Sequence, residues 1–275
     1  MPLTLPSLRG RAPASNHAAP FFGDAPLIIG HRGAAGVAPE NTGAAFEVAA
    51  ALGVPIELDV ALCASGELVV IHDDTLDRTT DGAGLVSEAT LPALKALDAG
   101  AHFGPEFAGE RILTLDEVFE RFGGRVPIDV EMKAPVGADV EALAARLVAA
   151  VARHDLARRI FVTTFNPYLL EQVRLRDPRI VRGQLYGTFE DSDLPAYQRF
   201  ALRHRLLSRR ARPDLMAIEH TLASPRAVRR LHRRGYRVLV WTVNDPADLW
   251  RVLDAGVDGI ITDDPAEMRA RLAGR

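Results

Sequence analysis

The sequence predicts an α/β protein, a (β/α)8 TIM barrel forming one domain, and three observations support this. The chain has 275 residues, close to the roughly 250 residues typical of such barrels. From Leu27 onward, short β-branched or leucine-rich runs alternate with longer amphipathic stretches, the pattern of βα units around a parallel sheet. The number of runs matches a closed barrel, although an open doubly wound sheet remains the alternative because counting strands does not establish closure. We place the strands at 27–30, 55–62, 126–132, 159–165, 179–186, 215–220, 237–243 and 259–263.

Helix starts between these strands are marked by capping residues. Thr114 with Glu117 has the spacing of a capping box. Elsewhere a capping side chain stands immediately before a proline, and proline suits the first position of a helix. These dipeptides are Asn166-Pro167, Ser224-Pro225, Asp245-Pro246 and Asp264-Pro265.

Two places break the alternation. After strand two, the turn at Ser65 and Gly66 is far too short for a parallel crossover, so we predict a β-hairpin arm that folds back antiparallel. If these two residues form the loop, Asp59 lies opposite His72 and the two side chains share a face. Residues 73–112 then form an insertion rich in Gly, Thr and Asp, and a loop this long in a compact domain is usually functional.

Composition narrows the classes of protein. A hydrophobic content of 48% with 25% charged residues is typical of a soluble globular chain. The net charge of −3 provides no basic field, so we expect no nucleic acid partner. Cys63 is the only cysteine, which excludes an intramolecular disulfide. Without an apolar run of signal-peptide or membrane-span length, we expect a cytoplasmic protein with a loosely ordered leader at 1–26 before the domain at 27–275.

Carboxylates occupy the ends of strands two and three. Chemistry in barrels of this kind takes place at the C-terminal ends of the strands. Because strand side chains alternate, Glu57 shares a face with Asp59, and Glu131 with Lys133. Three converging carboxylates would repel one another without a cation, and oxygen ligands favour a hard ion. We therefore predict one divalent cation, Mg²⁺ or Ca²⁺, bound by Glu57, Asp59 and Glu131.

Two further cations and two histidines accompany these acids. His31 and Arg32 end strand one. Arg32 and Lys133 have the chemistry of phosphate ligands, one a forked donor and one a point charge. His31 and His72 supply groups that exchange protons near neutral pH. Together with a metal ion, this set suits phosphoester cleavage by general acid–base and Lewis-acid catalysis.

The motif series of this chain resembles that of the glycerophosphodiester phosphodiesterase family. The motifs occur in the family's order, at family-like spacings, from about residue 27 to the C-terminus. The resemblance implies a TIM barrel, a divalent cation, and release of sn-glycerol 3-phosphate and an alcohol from small glycerophosphodiesters such as glycerophosphocholine. The stretches concerned are "HRGAAGVAPENTGAAF", "IELDVALCASGELVVIHDDTLDRTTDGAG", "VEMK", "WTVN" and "GVDGIITDDP".

The resemblance also assigns roles. In the related phosphoinositide-specific phospholipases a neighbouring hydroxyl of the substrate attacks phosphorus, which suggests that glycerol O2 could do the same here. The segment 73–112 matches the insertion that separates the family from those phospholipases, and we expect it to cap the site. Carried over by motif, His31 and His72 are the acid–base pair, Glu57, Asp59 and Glu131 bind metal, and Arg32 and Lys133 hold the phosphate.

Several interpretations stay open or lean towards structure. Trp241 packs under the site or lies against the glycerol or alcohol moiety, so we keep it as a candidate for substrate binding. Residues 40–42 are interpreted chiefly as caps of the first helix, and Phe165 and Asp263 as structural. Within the basic stretch 188–213, we favour for "RFALRHRLLSRRAR" the solvated outer face of a barrel helix over a membrane-binding helix.

Two rival functions remain. One is a lysophospholipase D or related phosphodiesterase acting on acylated substrates, which should expose a contiguous apolar patch near the insertion and residues 188–213. The other is a non-catalytic protein that binds phosphodiesters, but such a protein has no need of two proton-transfer groups beside a metal. The sequence makes no prediction about the oligomeric state.

Overall fold

A closed barrel forms the body of the molecule. The computed structural model describes residues 16–134, 137–188 and 211–274. In this part of the chain eight parallel strands follow one another around the sheet, and β1 pairs with both β9 and β2, which closes it. The TIM barrel is confirmed, and every predicted strand is present within two residues of its expected ends. The strands are β1 (Leu27–Gly30), β2 (Ile56–Leu62), β3 (Leu68–Val70), β4 (Ile128–Met132), β5 (Ile160–Thr164), β6 (Val181–Tyr186), β7 (Leu215–Glu219), β8 (Arg237–Trp241) and β9 (Gly259–Thr262).

Helices surround the barrel, and the predicted caps are present. Thr114 and Glu117 form a complete capping box. Each side chain predicted to cap a helix before a proline accepts a hydrogen bond from the backbone of its helix. No helix among the described residues has both the length and the hydrophobicity needed to cross a membrane. The helices are α1 (Gly43–Leu52), α2 (Leu91–Ala96), α3 (Leu115–Phe122), α4 (Val140–Arg153), α5 (Pro167–Arg176), α6 (Pro225–His232), α7 (Pro246–Asp254) and α8 (Pro265–Ala273).

The strands bury two different faces. Leu58 of β2 packs with Phe46 of α1 and Leu147 of α4 in the layer between barrel and helices. Phe161 of β5 and Leu239 of β8 belong instead to the cluster that fills the barrel interior. Because side chains alternate along a strand, residues two positions after an interior residue reach the C-terminal mouth of the barrel.

The N-terminal segment differs from the expected loosely ordered leader. Residues 1–15 lie outside the described part of the chain, but Asn16–Phe21 form a short 3-10 helix. The ring of Phe21 meets that of Phe161 edge to face, with centroids 5.3 Å apart, and Ala18 is buried in the interior cluster. These apolar side chains order residues 16–21 because they gain contacts with the barrel core.

The hairpin arm is present, with a loop one residue longer than predicted. Leu62 of β2 pairs with Leu68 of β3, so the loop comprises residues 64–66. Gly66 has a φ of +92°, the left-handed conformation that completes three-residue hairpin loops. The predicted two-residue loop is therefore wrong, since the glycine ends the turn here rather than forming half of it.

This longer loop changes the pairing near the site. Asp59 lies opposite Ile71, whose N–H donates to the Asp59 carbonyl oxygen at 3.0 Å, and the predicted pairing with His72 is wrong. The chain bends directly after Ile71. Because of this bend, the side chain of His72 does not follow the alternation of strand β3, and the bend directs it to the site.

The insertion at 73–112 is a compact unit on the hairpin arm. Its apolar residues Leu76, Val86 and Leu94 are buried with Val69 and Ile71 of the arm in a small core of their own. Two 3-10 turns, Val86–Glu88 and Pro105–Phe107, lie on either side of α2. The basic stretch 188–213 lies outside the described residues except for residues 188 and 211–213.

Candidate functional site at the barrel mouth

The turn after β1 brings His31 and Arg32 to the C-terminal mouth. It needs glycine twice, because a Cβ on Gly30 would lie 1.8 Å from the carbonyl oxygen of Gly33, and one on Gly33 would lie 2.6 Å from the α1 backbone. Arg32 itself has a φ of +50°. This left-handed conformation is uncommon for arginine, and in it the Arg32 N–H donates to Glu57 Oε2 at 2.8 Å.

Three carboxylates converge beside this turn. Glu57, Asp59 and Glu131 each offer an oxygen, and these oxygens lie within 4.8 Å of one another. Glu57 and Asp59 are 2% and 1% exposed. Glu57 Oε1 is buried and has no hydrogen-bond partner among the described residues. Because an unpartnered buried carboxylate oxygen is costly and hard cations prefer oxygen ligands, this trio could hold a metal ion.

Charges within the trio are unequal. Burial raises the pKa of Glu57 well above its usual range, and the charge of Asp59 adds to the rise. Burial also opposes ionisation of Asp59, but the charges of Lys133 and Arg32 lower its pKa. Lys133 Nζ donates to Asp59 Oδ1 at 2.9 Å and to Glu131 Oε1 at 2.6 Å. Lys133 thus compensates the two other acids, and Glu57 is the carboxylate left with the greatest need of a further cation.

His31 is held by a carboxylate from the other end of the chain. Its Nδ1 lies 2.6 Å from Asp263 Oδ1, and Asn244 Nδ2 in turn donates to Asp263. Burial alone would lower the pKa of His31, but the hydrogen bond to Asp263 and the charge of Glu57 raise it above 6.5. Asp263, which the sequence led us to interpret as structural, therefore contacts a candidate residue of the mouth. Its position two residues after the interior residue Ile261 was the signal that could have identified it.

His72 reaches the same mouth from the hairpin arm. Its side chain is 34% exposed, and its charge contributes to the lowered pKa of Asp59. His72 Nδ1 lies 2.6 Å from Asp73 Oδ1. Both histidines, His31 and His72, therefore have Nδ1 bonded to a carboxylate, which leaves Nε2 available to another partner.

Residues 40–42 only partly match their expected capping role. Thr42 caps α1 as predicted. Asn41 instead uses its amide to grip Asp59, with Nδ2 donating to Oδ2 at 2.9 Å and Oδ1 accepting from the Asp59 N–H at 3.2 Å. Glu40 accepts from Arg32 Nη1 at 2.7 Å. Glu40 and Asn41 therefore orient residues of the site, because the turn after β1 returns past the acids before α1 begins.

Trp241 forms part of the wall of the mouth. Its indole Nε1 donates to the carbonyl oxygen of Ala217 at 3.1 Å. The ring meets Phe165 edge to face, with centroids 5.7 Å apart, and remains partly exposed. In the parallel register Trp241 lies beside Glu219 of β7. The indole of Trp241 is thus anchored and partly exposed at the mouth. Contact between Trp241 and the substrate stays a prediction.

Comparison with known proteins bears on this arrangement. The model of the glycerophosphoryl diester phosphodiesterase family matches residues 31–267. The chain belongs to this family. The match contains all the candidate residues of the mouth, from His31 to Asp263.

Relatives in the glycerophosphoryl diester phosphodiesterase family match nearly the full length of the chain. A glycerophosphodiester phosphodiesterase of Caldanaerobacter subterraneus subsp. tengcongensis is 41% identical over 241 residues, which cover 87% of this chain and 94% of the relative. One of Bacillus subtilis is 31% identical over 259 residues, covering 87% of this chain and 84% of the relative. The chain is accordingly an enzyme of the phosphoric diester hydrolase class.

Solved structures of the family share the barrel. A phosphodiesterase of Oleispira antarctica, solved in complex with the product sn-glycerol-3-phosphate, is 30% identical with a TM-score of 0.81, covering 93% of this chain and 99% of that one. A glycerophosphodiester phosphodiesterase of Agrobacterium tumefaciens is 28% identical with a TM-score of 0.72, covering 90% of this chain and 100% of that one. The barrel fold of this chain is therefore one already seen in solved structures of the family.

Proposed function

We propose that this enzyme hydrolyses glycerophosphodiesters to sn-glycerol 3-phosphate and an alcohol, using a divalent cation bound at Glu57, Asp59 and Glu131. The observation that carries the proposal is the meeting, at one barrel mouth, of this acid trio with two carboxylate-anchored histidines. The product found in the Oleispira antarctica relative supports a small glycerophosphodiester as the substrate.

The phosphate is bound by the cations of the site. A bound Mg²⁺ or Ca²⁺ would neutralise the acids and polarise a phosphoryl oxygen. Arg32 and Lys133 bind the remaining phosphate oxygens, Arg32 through its forked guanidinium and Lys133 as a point charge. Their contacts with Asp59, at 3.3 Å and 2.9 Å, support this assignment because they place both cations beside the trio.

Proton transfer is assigned to the two histidines. With Nδ1 of each ring bonded to a carboxylate, Nε2 is the nitrogen that exchanges a proton with the substrate. The raised pKa of His31 keeps that ring protonated to higher pH, which favours His31 as the acid that protonates the leaving alcohol. His72 then acts as the base that removes the proton of the attacking hydroxyl, which is glycerol O2 in the first step. Water opens the resulting cyclic phosphodiester to give glycerol 3-phosphate.

The neutral part of the substrate is assigned to the aromatic wall. The partly exposed face of Trp241 suits contact with the CH groups of glycerol or of the leaving alcohol. The anchoring of its indole by Ala217 supports a fixed wall rather than a mobile one. Location in the cytoplasm stays a prediction.

The test is release of glycerol 3-phosphate from glycerophosphocholine, glycerophosphoethanolamine and glycerophosphoglycerol. We expect release with Mg²⁺ or Ca²⁺ and its loss on adding a chelator. No release from any of the three by folded, metal-loaded protein would contradict the proposal. Release of choline from lysophosphatidylcholine alone would assign the enzyme instead to the acylated substrates of a lysophospholipase D.

A further inference from the structure

One guanidinium of the insertion connects two carboxylates next to the site. Arg78 donates to Asp73 through Nε at 2.7 Å and Nη2 at 3.0 Å. It donates to Glu40 through Nη1 at 2.7 Å and Nη2 at 2.8 Å. Arg78 therefore makes a two-point contact with each carboxylate at once, which a planar fork of donors allows and an ammonium does not.

Each of these carboxylates also holds a residue of the barrel mouth. Asp73 Oδ1 lies 2.6 Å from His72 Nδ1, and Glu40 Oε1 accepts from Arg32 Nη1 at 2.7 Å. His72 follows the hairpin arm and Arg32 follows β1, so the two come from different elements. A single side chain of the insertion thus contacts the partners of both.

The exposure of these ion pairs indicates that Arg78 does more than stabilise the fold. The Arg78 side chain is 48% exposed, whereas that of Glu40 is 15% exposed. Exposed ion pairs contribute little to stability, because solvent screens them and ordering long side chains costs entropy. Arg78 therefore matters more for orienting Arg32 and His72, the residues that Glu40 and Asp73 hold.

We propose that Arg78 is a positioning residue that acts through Asp73 and Glu40 to fix the ring of His72 relative to the guanidinium of Arg32. The insertion at 73–112 then sets the rate of the reaction as well as covering the hairpin arm. This inference rests on the function proposed above, in which His72 transfers a proton and Arg32 binds phosphate.

The first test is the steady-state kinetics of Arg78→Ala in the full-length, metal-loaded enzyme. We expect kcat to fall about 10- to 100-fold, the range typical when groups that orient site residues are removed. Arg78→Lys should recover little of the loss, because it keeps the charge without the fork. Guanidinium ions added to Arg78→Ala should recover part of it, since the position is open to solvent.

The matched control is Arg153→Ala. Arg153 also makes a two-point contact with a carboxylate, Asp116, and its side chain is 56% exposed, but it lies on the outer helix α4. We expect Arg153→Ala to keep the kcat of the wild type. Wild-type kcat in Arg78→Ala, or full recovery in Arg78→Lys, would overturn the proposal.

A second readout separates this inference from the proposed function. In protein labelled with ¹⁵N-histidine, the ring nitrogens of His72, assigned with His72→Asn, should shift in Arg78→Ala and stay unchanged in Arg153→Ala. If Arg78→Ala does not fold, Arg78→Lys takes its place in this comparison. An unchanged His72 signal would overturn the positioning role. A shifted signal in an enzyme inactive on glycerophosphodiesters would support the positioning role and contradict the proposed function.

Discussion

His31 and Asp263 contact each other across the seam where the barrel closes. Gly30 at the end of β1 pairs with Thr262 at the end of β9, so the next residue of each strand lies beside the other. Their side chains then meet, with Nδ1 of His31 2.6 Å from Oδ1 of Asp263. The parallel register of β1 and β9 therefore places Asp263 beside His31.

Replacing Asp263 with Asn should move the ionisation of His31 to lower pH. Asp263 raises the pKa of His31, and a neutral amide cannot do so. If His31 is the acid, the alkaline limb of the pH profile of kcat/KM shifts towards acid. Because a raised histidine pKa stabilises the fold below the unfolded value and loses that effect as pH rises through the folded value, the stability lost in Asp263→Asn should also fade at alkaline pH.

The control for this variant is Asp248→Asn. Asp248 likewise contacts a histidine, His220, at 3.2 Å, but on the outside of the barrel. Replacing Asp248 should leave the pH profile of kcat/KM unchanged. An alkaline limb that does not move in Asp263→Asn would contradict the role given to the pair.

His31→Ala and His72→Ala should each lower kcat about 10²- to 10⁴-fold, the usual contribution of general acid–base catalysis. The fold should persist, which circular dichroism would verify. His232→Ala is the control, since His232 is 38% exposed and contacts Asp258 away from the mouth. Near-normal turnover in either variant would remove that histidine from the acid–base pair.

Glu57→Gln should have opposite effects on the metal-free and the metal-loaded protein. Burial and the charge of Asp59 raise the pKa of Glu57, so this carboxyl disfavours folding at pH values above its pKa in the unfolded chain. The penalty fades as the pH falls from the raised pKa towards the unfolded value. The amide should therefore raise the Tm without metal. It should also weaken metal binding, measured by calorimetry.

Glu47→Gln controls for the loss of a carboxylate in Glu57→Gln. Glu47 lies on α1, is exposed and pairs with Arg125, so its replacement should leave metal affinity unchanged. Equal metal affinity in Glu57→Gln and the wild type would exclude Glu57 as a ligand.

Lys133→Gln should destabilise the metal-free protein. Its ammonium contacts Asp59 and Glu131, and removing one partner of a buried pair costs about 3–5 kcal/mol. Thermal unfolding with and without Mg²⁺ or Ca²⁺ would measure this, and metal should restore more stability than in the wild type because it compensates the same acids.

The chain offers a matched control for Lys133→Gln in its other lysine, Lys95. Lys95 pairs with Glu117 at the surface, where a salt bridge is worth about 0–1 kcal/mol. Equal losses of stability in Lys133→Gln and Lys95→Gln would show that Lys133 does not compensate the acid trio.

Local patterns in the sequence were sufficient for the strands, the caps and the main residues of the mouth. Alternation along one strand placed Glu57 with Asp59, and both lie at the mouth. The hairpin was harder, because one extra loop residue changes every pairing, and nothing in "CASGE" distinguishes a two-residue from a three-residue loop. Contacts that depend on barrel closure or side-chain reach, such as those of Asp263, Glu40 and Arg78, needed the folded chain.

The pairing of β1 with β9 also has a consequence for biosynthesis. A ribosome releases His31 long before Asp263, since the two residues are 232 positions apart. Until β9 emerges, a nascent chain therefore carries the acid trio and the hairpin while His31 still lacks its anchor, Asp263. The anchored form of His31 therefore forms only after β9 has been made, and a chain cut short before β9 lacks it.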